Sequence, residues 1–251
     1  MNKTTCAFIF TGGHGVRLRP YTIDTPKPLL RFNDGKRILD YTLGLIYESG
    51  IKNVFMNYCY GENLFKEVVS DYKGKLKIKL IHEEVPIGHG ATLLMAKKYL
   101  LDYEYVISFN GDTIIDFDVL GFINKKSQKT ISLLSGHSIE TLPKTLVLGD
   151  GNELLGIEGP AGGYFYETRG RAKMTYSNYV GVNILPSTLI SELHYNEGEF
   201  LGIFGNQDLI ELALAKGYKA KAINSIKIKK FFSINTIEEF KEIEGLLNSN
   251  G

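Results

Sequence analysis

Short β-rich runs alternate with longer stretches of helical period over the first 115 residues, and that alternation restricts the chain to a parallel sheet with crossover helices. The strand-like runs are Thr5–Phe10, Asn53–Tyr58, 76–82 and Tyr105–Asn110. Between them Leu39, Leu43, Leu45 and Ile46, then Leu64, Val68 and Val69, then Leu93, Leu94, Ala96 and Leu100 fall at helical spacing. After Asp112 the rhythm changes. The runs 130–134, Thr145–Leu148, 155–158 and 179–185 predict strands joined by turns, with Asp150-Gly151-Asn152 a strong turn signal. Helices near 187–193 and 207–216 precede strands near Lys219–Ile223 and 229–234. The last helix opens on Thr236-Ile237-Glu238-Glu239, the S/T-x-x-E spacing of a capping box. Residues 159–175, rich in Gly, Tyr, Arg and Lys and poor in apolar period, read as a loop or irregular hairpin and as the candidate lid.

At 251 residues, 43% of them apolar, the chain can bury a sizeable core without metals or disulfides. Its 29 basic and 28 acidic side chains leave a net charge of +1, so no excess field points toward DNA, a membrane or an acidic partner. Lys216, Lys219, Lys221, Lys227, Lys229 and Lys230 alternate with apolar residues, the pattern of a solvated sheet edge rather than a nucleic-acid face. Cys6 and Cys59 each lie in an apolar run and make no zinc spacing, so buried thiols in a reducing compartment are expected. The N-terminal apolar stretch is too short for a signal peptide, and no run approaches the ~18 apolar residues of a membrane helix. A cytoplasmic protein with no nucleic-acid or membrane partner is the expectation.

Chemistry concentrates after the first strand, in Thr11-Gly12-Gly13-His14-Gly15-Val16-Arg17-Leu18-Arg19-Pro20-Tyr21-Thr22, followed by Thr25-Pro26-Lys27-Pro28. Three glycines let the backbone approach a ligand closely and converge its amides on an anion, for which phosphate is the natural guest. Arg17 adds a fork-shaped permanent cation, and Lys27, between two prolines that restrict its backbone, adds a second positive point. The spacing excludes a Walker loop, because no Lys followed by Ser or Thr stands here. It weakens a dinucleotide fingerprint, because Gly13-x-Gly15-x-x-Leu18 lacks the third glycine.

The run G-G-H-G-V-R-L-R-P-Y-T-I-D-T-P-K-P-L resembles the G-G-x-G-x-R-L-x-P-x-T-x-x-x-P-K-P-L signature of the sugar-1-phosphate nucleotidyltransferases. In order along the chain, Glu83-Glu84-Val85-Pro86-Ile87-Gly88-His89-Gly90-Ala91 is similar to that family's E-x-P-L-G-T-A-G-A segment, and Phe109-Asn110-Gly111-Asp112 to its strand-end N-G-D. Tyr179-Val180-Gly181-Val182 is similar to its N-A-G-I segment. The resemblance implies a Rossmann-like three-layer α/β/α fold with a mixed, mostly parallel central sheet, the nucleotide-diphospho-sugar transferase fold. It implies a single domain, 1–251, with a nucleotide-binding half over 1–115 and a sugar-binding half over 116–251. It also implies an enzyme that joins a nucleoside triphosphate to a sugar 1-phosphate and releases pyrophosphate, with homo-oligomerisation left open.

By that resemblance Thr11, Gly12, Gly13, His14 and Gly15 with Arg17 hold the triphosphate, and Lys27 stabilises charge at the reacting phosphates. Asp112 ligates Mg²⁺ and contacts the nucleotide, Gly88 reads the base, and Glu158, Val180 and Gly181 contact the sugar. The attacking phosphate oxygen is largely ionised at neutral pH, its second pKa being about 6, so no general base is required. The compact chain resembles the heptose or mannose 1-phosphate guanylyltransferases, with cytidylyl, thymidylyl and uridylyl enzymes, some taking other phosphorylated acceptors, as alternatives.

Two departures stand out. The family's E-K-P is Glu158-Gly159-Pro160 here, so a lysine at the sugar phosphate is missing, and Lys144, Arg169, Arg171 or Lys173 are candidates to replace its charge. The acid of the family's C-terminal D-I-G-T-P-E-D falls on Ser233 or on Asn235, depending on alignment. Neither is charged, and an Asn235 oxygen remains a neutral metal ligand. This leaves a non-catalytic nucleotide-binding paralogue as one alternative. A GT-A glycosyltransferase is another, through the D-x-D spacing of Asp116-Phe117-Asp118, although those carboxylates also suit the amino end of the following helix.

Overall fold

All six residues of the first run are buried, as expected of a strand covered on both faces of a parallel sheet. The computed structural model describes residues 4–136, 145–159, 162–166, 174–194 and 205–248. Its elements begin with β1 (Thr5–Phe10), α1 (Ile38–Glu48), β2 (Asn53–Tyr58), α2 (Glu62–Asp71) and β3 (Lys77–His82). There follow α3 (His89–Met95), α4 (Lys97–Leu100), β4 (Tyr105–Asn110), β5 (Thr113–Phe117) and α5 (Val119–Ile123). The next five strands are β6 (Thr130–Gly136), β7 (Thr145–Leu148), β8 (Leu154–Gly159), β9 (Gly162–Phe165) and β10 (Thr175–Pro186). The chain closes with α6 (Ser187–Glu192), α7 (Asn206–Ala215), β11 (Lys219–Ile223), β12 (Ile228–Ser233) and α8 (Ile237–Asn248).

Two compact units divide the chain. The first comprises Cys6–Pro86, Phe109–Asp116 and Lys229–Gly251, and it contains the glycine loop. In it β1 pairs parallel with β2 (Ala7 opposite Val54, Ile9 opposite Met56), and β2 pairs parallel with β3 from Asn53–Lys77 to Tyr58–His82. A separate two-stranded sheet joins β5 and β12. Leu18, Leu30, Phe32, Ile38, Ile114, Ile234, Phe240 and Ile243 form one buried cluster, in which the rings of Phe32 and Phe240 stack at 4.9 Å. That cluster is why the last segment of the chain belongs with the first, across the boundary that chain order alone suggests near residue 115.

The second unit comprises Met1–Thr5, Ile87–Ser108 and Phe117–Ile228. Its organising strand is β10, which pairs antiparallel with β4, β6 and β7, while β8 and β9 extend the antiparallel run. β11 pairs parallel with β6, so the pairing is mixed. The lysines of β11 alternate with buried Ala220 and Ala222, and Lys219 meets Glu153 at 3.0 Å. β9, paired antiparallel with β8, fits the irregular hairpin expected within 159–175. The structure departs from the sequence expectation where β5 forms an additional strand, where β10 begins at Thr175 rather than 179, because its first two residues are exposed and show no alternation, and where the third helical pattern breaks at Ala96 into α3 and α4. Among the described residues no helix is long and apolar enough to cross a membrane.

The expected capping box is present at α8. The Thr236 amide donates to Glu239 Oε2 at 3.0 Å, and the Glu239 amide donates to Thr236 Oγ1 at 3.2 Å. Both satisfy helix-end donors that would otherwise lack partners. Replacing Thr236 by Ala removes one of them and is expected to cost about 1 kcal/mol of unfolding free energy, measured by urea denaturation. A change near zero would show that this cap contributes nothing.

Candidate active site

β1 delivers the backbone to Thr11, where strand pairing gives way to a side-chain partner. The Thr11 amide donates to Asn57 Oδ1 at 2.9 Å, and the Thr11 hydroxyl donates to the Asn57 carbonyl oxygen. At Gly12 a Cβ would lie 2.3 Å from Asn57 Nδ2 and 3.1 Å from Glu83 Oε2, so no other residue fits without displacing them. Gly15 adopts φ 56°, a left-handed conformation that side chains disfavour, and its carbonyl accepts from the Thr22 hydroxyl at 2.8 Å and the Leu18 amide at 2.9 Å. His14, between them, is exposed and its ring stacks at 6.1 Å on Tyr60.

A short helical turn, Val16–Leu18, sends Leu18 into the buried cluster and leaves Arg17 exposed. Arg17 Nη2 donates to Asn235 Oδ1 at 3.0 Å, and Asn235 Nδ2 donates to Ser233 Oγ at 2.8 Å. A second short turn, Lys27–Leu29, begins after Pro26 and buries Lys27. Tyr60 holds the approach to it, donating its hydroxyl to the Thr22 carbonyl at 2.9 Å. Lys27 Nζ then meets Asp112 Oδ2 at 2.8 Å; the lysine side chain is 10% exposed and the carboxylate 34%. Asp112 lies two residues beyond β4, where the Gly111 amide donates to the Phe10 carbonyl at 2.9 Å and the Ile234 amide to the Asp112 carbonyl at 3.2 Å. Thus the ends of β1 and β4 and the approach to Asn235 are tied together within one unit.

Thr11, Gly12, Gly13, His14, Gly15, Arg17, Lys27, Asp112 and Asn235 all belong to that unit. Gly88, Glu158, Val180 and Gly181 belong to the other. Gly88 immediately precedes α3, with φ 91°, and its carbonyl accepts the Thr92 amide and hydroxyl, each at 2.9 Å. His89 is half-buried at the start of α3. Glu158, on β8, is half-buried opposite Gly163, whereas Val180 is buried and Gly181 lies where the β10–β6 register shifts. Lys144, Arg169, Arg171 and Lys173 lie outside the described residues, as does most of the candidate lid.

The D-x-D spacing has a structural account. Asp118 Oδ1 accepts the Gly121 amide at 2.9 Å as the cap of α5, and Asp116 forms an exposed ion pair with Lys229 at 3.5 Å. No cluster of three or more His, Cys, Asp or Glu side chains able to hold a metal occurs among the described residues. Sequence reasoning missed Asn57, although one polar side chain inside the apolar strand Val-Phe-Met-Asn-Tyr is itself a signal, since a buried amide must find partners.

A profile of the nucleotidyl transferase family matches residues 6–139. The chain belongs to this family. The mannose-1-phosphate guanylyltransferase catalytic subunit beta of Dictyostelium discoideum is 36% identical over 121 residues, 46% of this chain and 33% of that protein. The D-glycero-alpha-D-manno-heptose 1-phosphate guanylyltransferase of Campylobacter jejuni is 34% identical over 113 residues, 45% of this chain and 50% of that protein. The matched region therefore spans between a third and a half of these relatives' own length. The inositol-1-phosphate CTP transferase of T. maritima superposes with a TM-score of 0.76 over 98% of this chain and 96% of that one at 17% identity, which establishes the shared α/β fold.

Neither Cys6 nor Cys59 forms a disulfide. Burial, reinforced by the nearby Glu83 carboxylate, pushes the Cys59 thiol up to about 11. The neutral thiol therefore persists through the physiological range, and thiolate appears only as pH climbs toward 11. Alkylation of Cys59 in the folded protein at pH 8 is expected on the order of a hundredfold slower than that of an unperturbed cysteine. Peptide mapping after iodoacetamide treatment measures this, and a rate equal to that of the urea-unfolded chain would contradict it.

Proposed function

We propose that the protein is a sugar-1-phosphate nucleotidyltransferase, with guanylyl transfer to mannose or heptose 1-phosphate as the leading reaction. The observation that carries this reading is the buried Lys27 ammonium held 2.8 Å from the Asp112 carboxylate, in the same compact unit as the glycine loop and Arg17, in a chain of this family. The relatives named for guanylyl transfer support the choice of base and acceptor.

Two polyanions must meet in this reaction, so the chain's task is to remove their repulsion and align them. The amides of Gly12, Gly13, His14 and Gly15, with Thr11, cradle the triphosphate, and Arg17 neutralises it. Lys27 transfers its ammonium from Asp112 to the phosphates at the reacting centre. An oxygen of the sugar phosphate attacks the α-phosphorus as the bond to pyrophosphate breaks; the attacking group is already ionised, so no side chain needs to take a proton. In the second unit Gly88 contributes backbone contacts to the base, and Glu158, Val180 and Gly181 line the acceptor.

The donor set at Asp112 fits Mg²⁺: one partly exposed carboxylate suits an ion that keeps several waters and binds substrate phosphates. When bound, the ion would draw charge from the phosphates. Asn235, expected beside it, already accepts a hydrogen bond from Arg17 on its side-chain oxygen, which leaves that neutral oxygen one lone pair for an ion. The absence of a charge at Asn235 and Ser233 favours a second reading, a nucleotide-binding protein without turnover. A cytoplasmic setting, in which Cys6 and Cys59 stay reduced, belongs to the first reading.

The test is a matrix of four nucleoside triphosphates against mannose, heptose, glucose and choline phosphates, scored by pyrophosphate release. GTP with mannose or heptose 1-phosphate is expected to give turnover. Asp112→Asn and Lys27→Ala should each lower it on the order of a hundredfold or more. Nucleotide binding with no pyrophosphate from any pair would support the second reading; full turnover in Asp112→Asn would remove the carboxylate from the chemistry.

A further inference from the structure

A phosphate loop made of backbone amides works only if the chain entering it is fixed, because glycines restrain nothing themselves. At this entrance a side chain adds to the backbone ties. Where β1 ends, Thr11 is held at two points by one residue of β2: its amide by the Asn57 side-chain oxygen at 2.9 Å, its hydroxyl by the Asn57 carbonyl. Thr11 and Asn57 are each 3% exposed, so water does not substitute for either bond. The other end of the same carboxamide, Nδ2, fills the space a Gly12 side chain would occupy. The carboxamide therefore holds the Thr11 amide and packs against Gly12, the first residue within the loop, while the backbone carbonyl of the same residue holds the Thr11 hydroxyl.

We propose that Asn57 is a positioning residue for triphosphate binding, acting through Thr11 and Gly12 rather than by touching the ligand. The inference rests on the nucleotidyl-transfer reading above. Its chemistry needs both ends of a carboxamide. Leucine, close in volume, offers no acceptor, and aspartate would set a second anionic oxygen beside the Glu83 carboxylate. Because the loop grips the triphosphate before and during the reaction alike, loss of the anchor appears in binding of that substrate and not in the chemical step.

The experiment compares the wild-type protein with Asn57→Ala and Asn57→Leu. In both variants the KM for the triphosphate is expected to rise about tenfold, while the KM for the sugar phosphate stays within about twofold and kcat within about threefold. Amide exchange supplies a reading independent of turnover and of any ligand. The Thr11 amide is slow in the wild-type protein and exchanges about a hundredfold faster in the variants, while the Phe8 and Val54 amides keep their protection. Unchanged triphosphate KM in a folded variant, or equal rises in both KM values with general loss of protection, overturns the proposal. So does fast Thr11 exchange in the wild-type protein, which needs no variant. Failure of the wild-type protein to bind any triphosphate would instead defeat the nucleotidyl-transfer reading, and the exchange arm would still report on the anchor.

Discussion

An ammonium and a carboxylate from residues 85 positions apart meet at 2.8 Å, and the arrangement around them follows from bringing Lys27 to Asp112. Each is delivered by a rigid device. Prolines on both sides of Lys27 set its short turn, and β4 carries the chain to Asp112, held by the Gly111 amide on the Phe10 carbonyl. Burying a lysine is costly unless its charge is paired, and the pairing keeps a mobile cation at a defined point before any ligand arrives. In the proposed reaction a triphosphate and an ion would divide this pair between them, the phosphates taking Lys27 and the ion Asp112.

The parts of this site legible from the sequence were those whose residue type alone carries the chemistry. Gly12, Gly15, Arg17, Lys27 and Asp112 occupy fixed spacings, and the structure assembles them in one compact unit. The strand boundaries of β1, β2 and β4 were likewise legible, because nearly continuous buried runs that end on polar residues leave little choice of ends. Asn57 was not, since its role depends on the register that sets β2 beside the end of β1. The bounds of β9 within the expected irregular hairpin were not legible either, because Gly162 to Phe165 is exposed throughout and shows no alternation of burial. The capping of α5 by Asp118 shows the opposite case: a motif spacing that looked like metal chemistry is satisfied by a helix end.

At the C-terminal position where the family carries an acid, alignment left Ser233 and Asn235 equally eligible. The structure gives them linked parts. Ser233 Oγ accepts from the Asn235 side-chain amide, which orients the opposite oxygen onto Arg17. With a neutral residue here, an ion held at Asp112 in the proposed reaction would lean on the phosphates themselves.

A crystal structure of the protein with GTP, or its non-hydrolysable analogue, and Mg²⁺ tests the central claim most directly. The account predicts the triphosphate against the amides of residues 12–15, with Lys27 Nζ withdrawn from Asp112 and within hydrogen-bond distance of a phosphate oxygen. A nucleotide bound elsewhere, with the Lys27–Asp112 pair intact beneath an empty glycine loop, would contradict it.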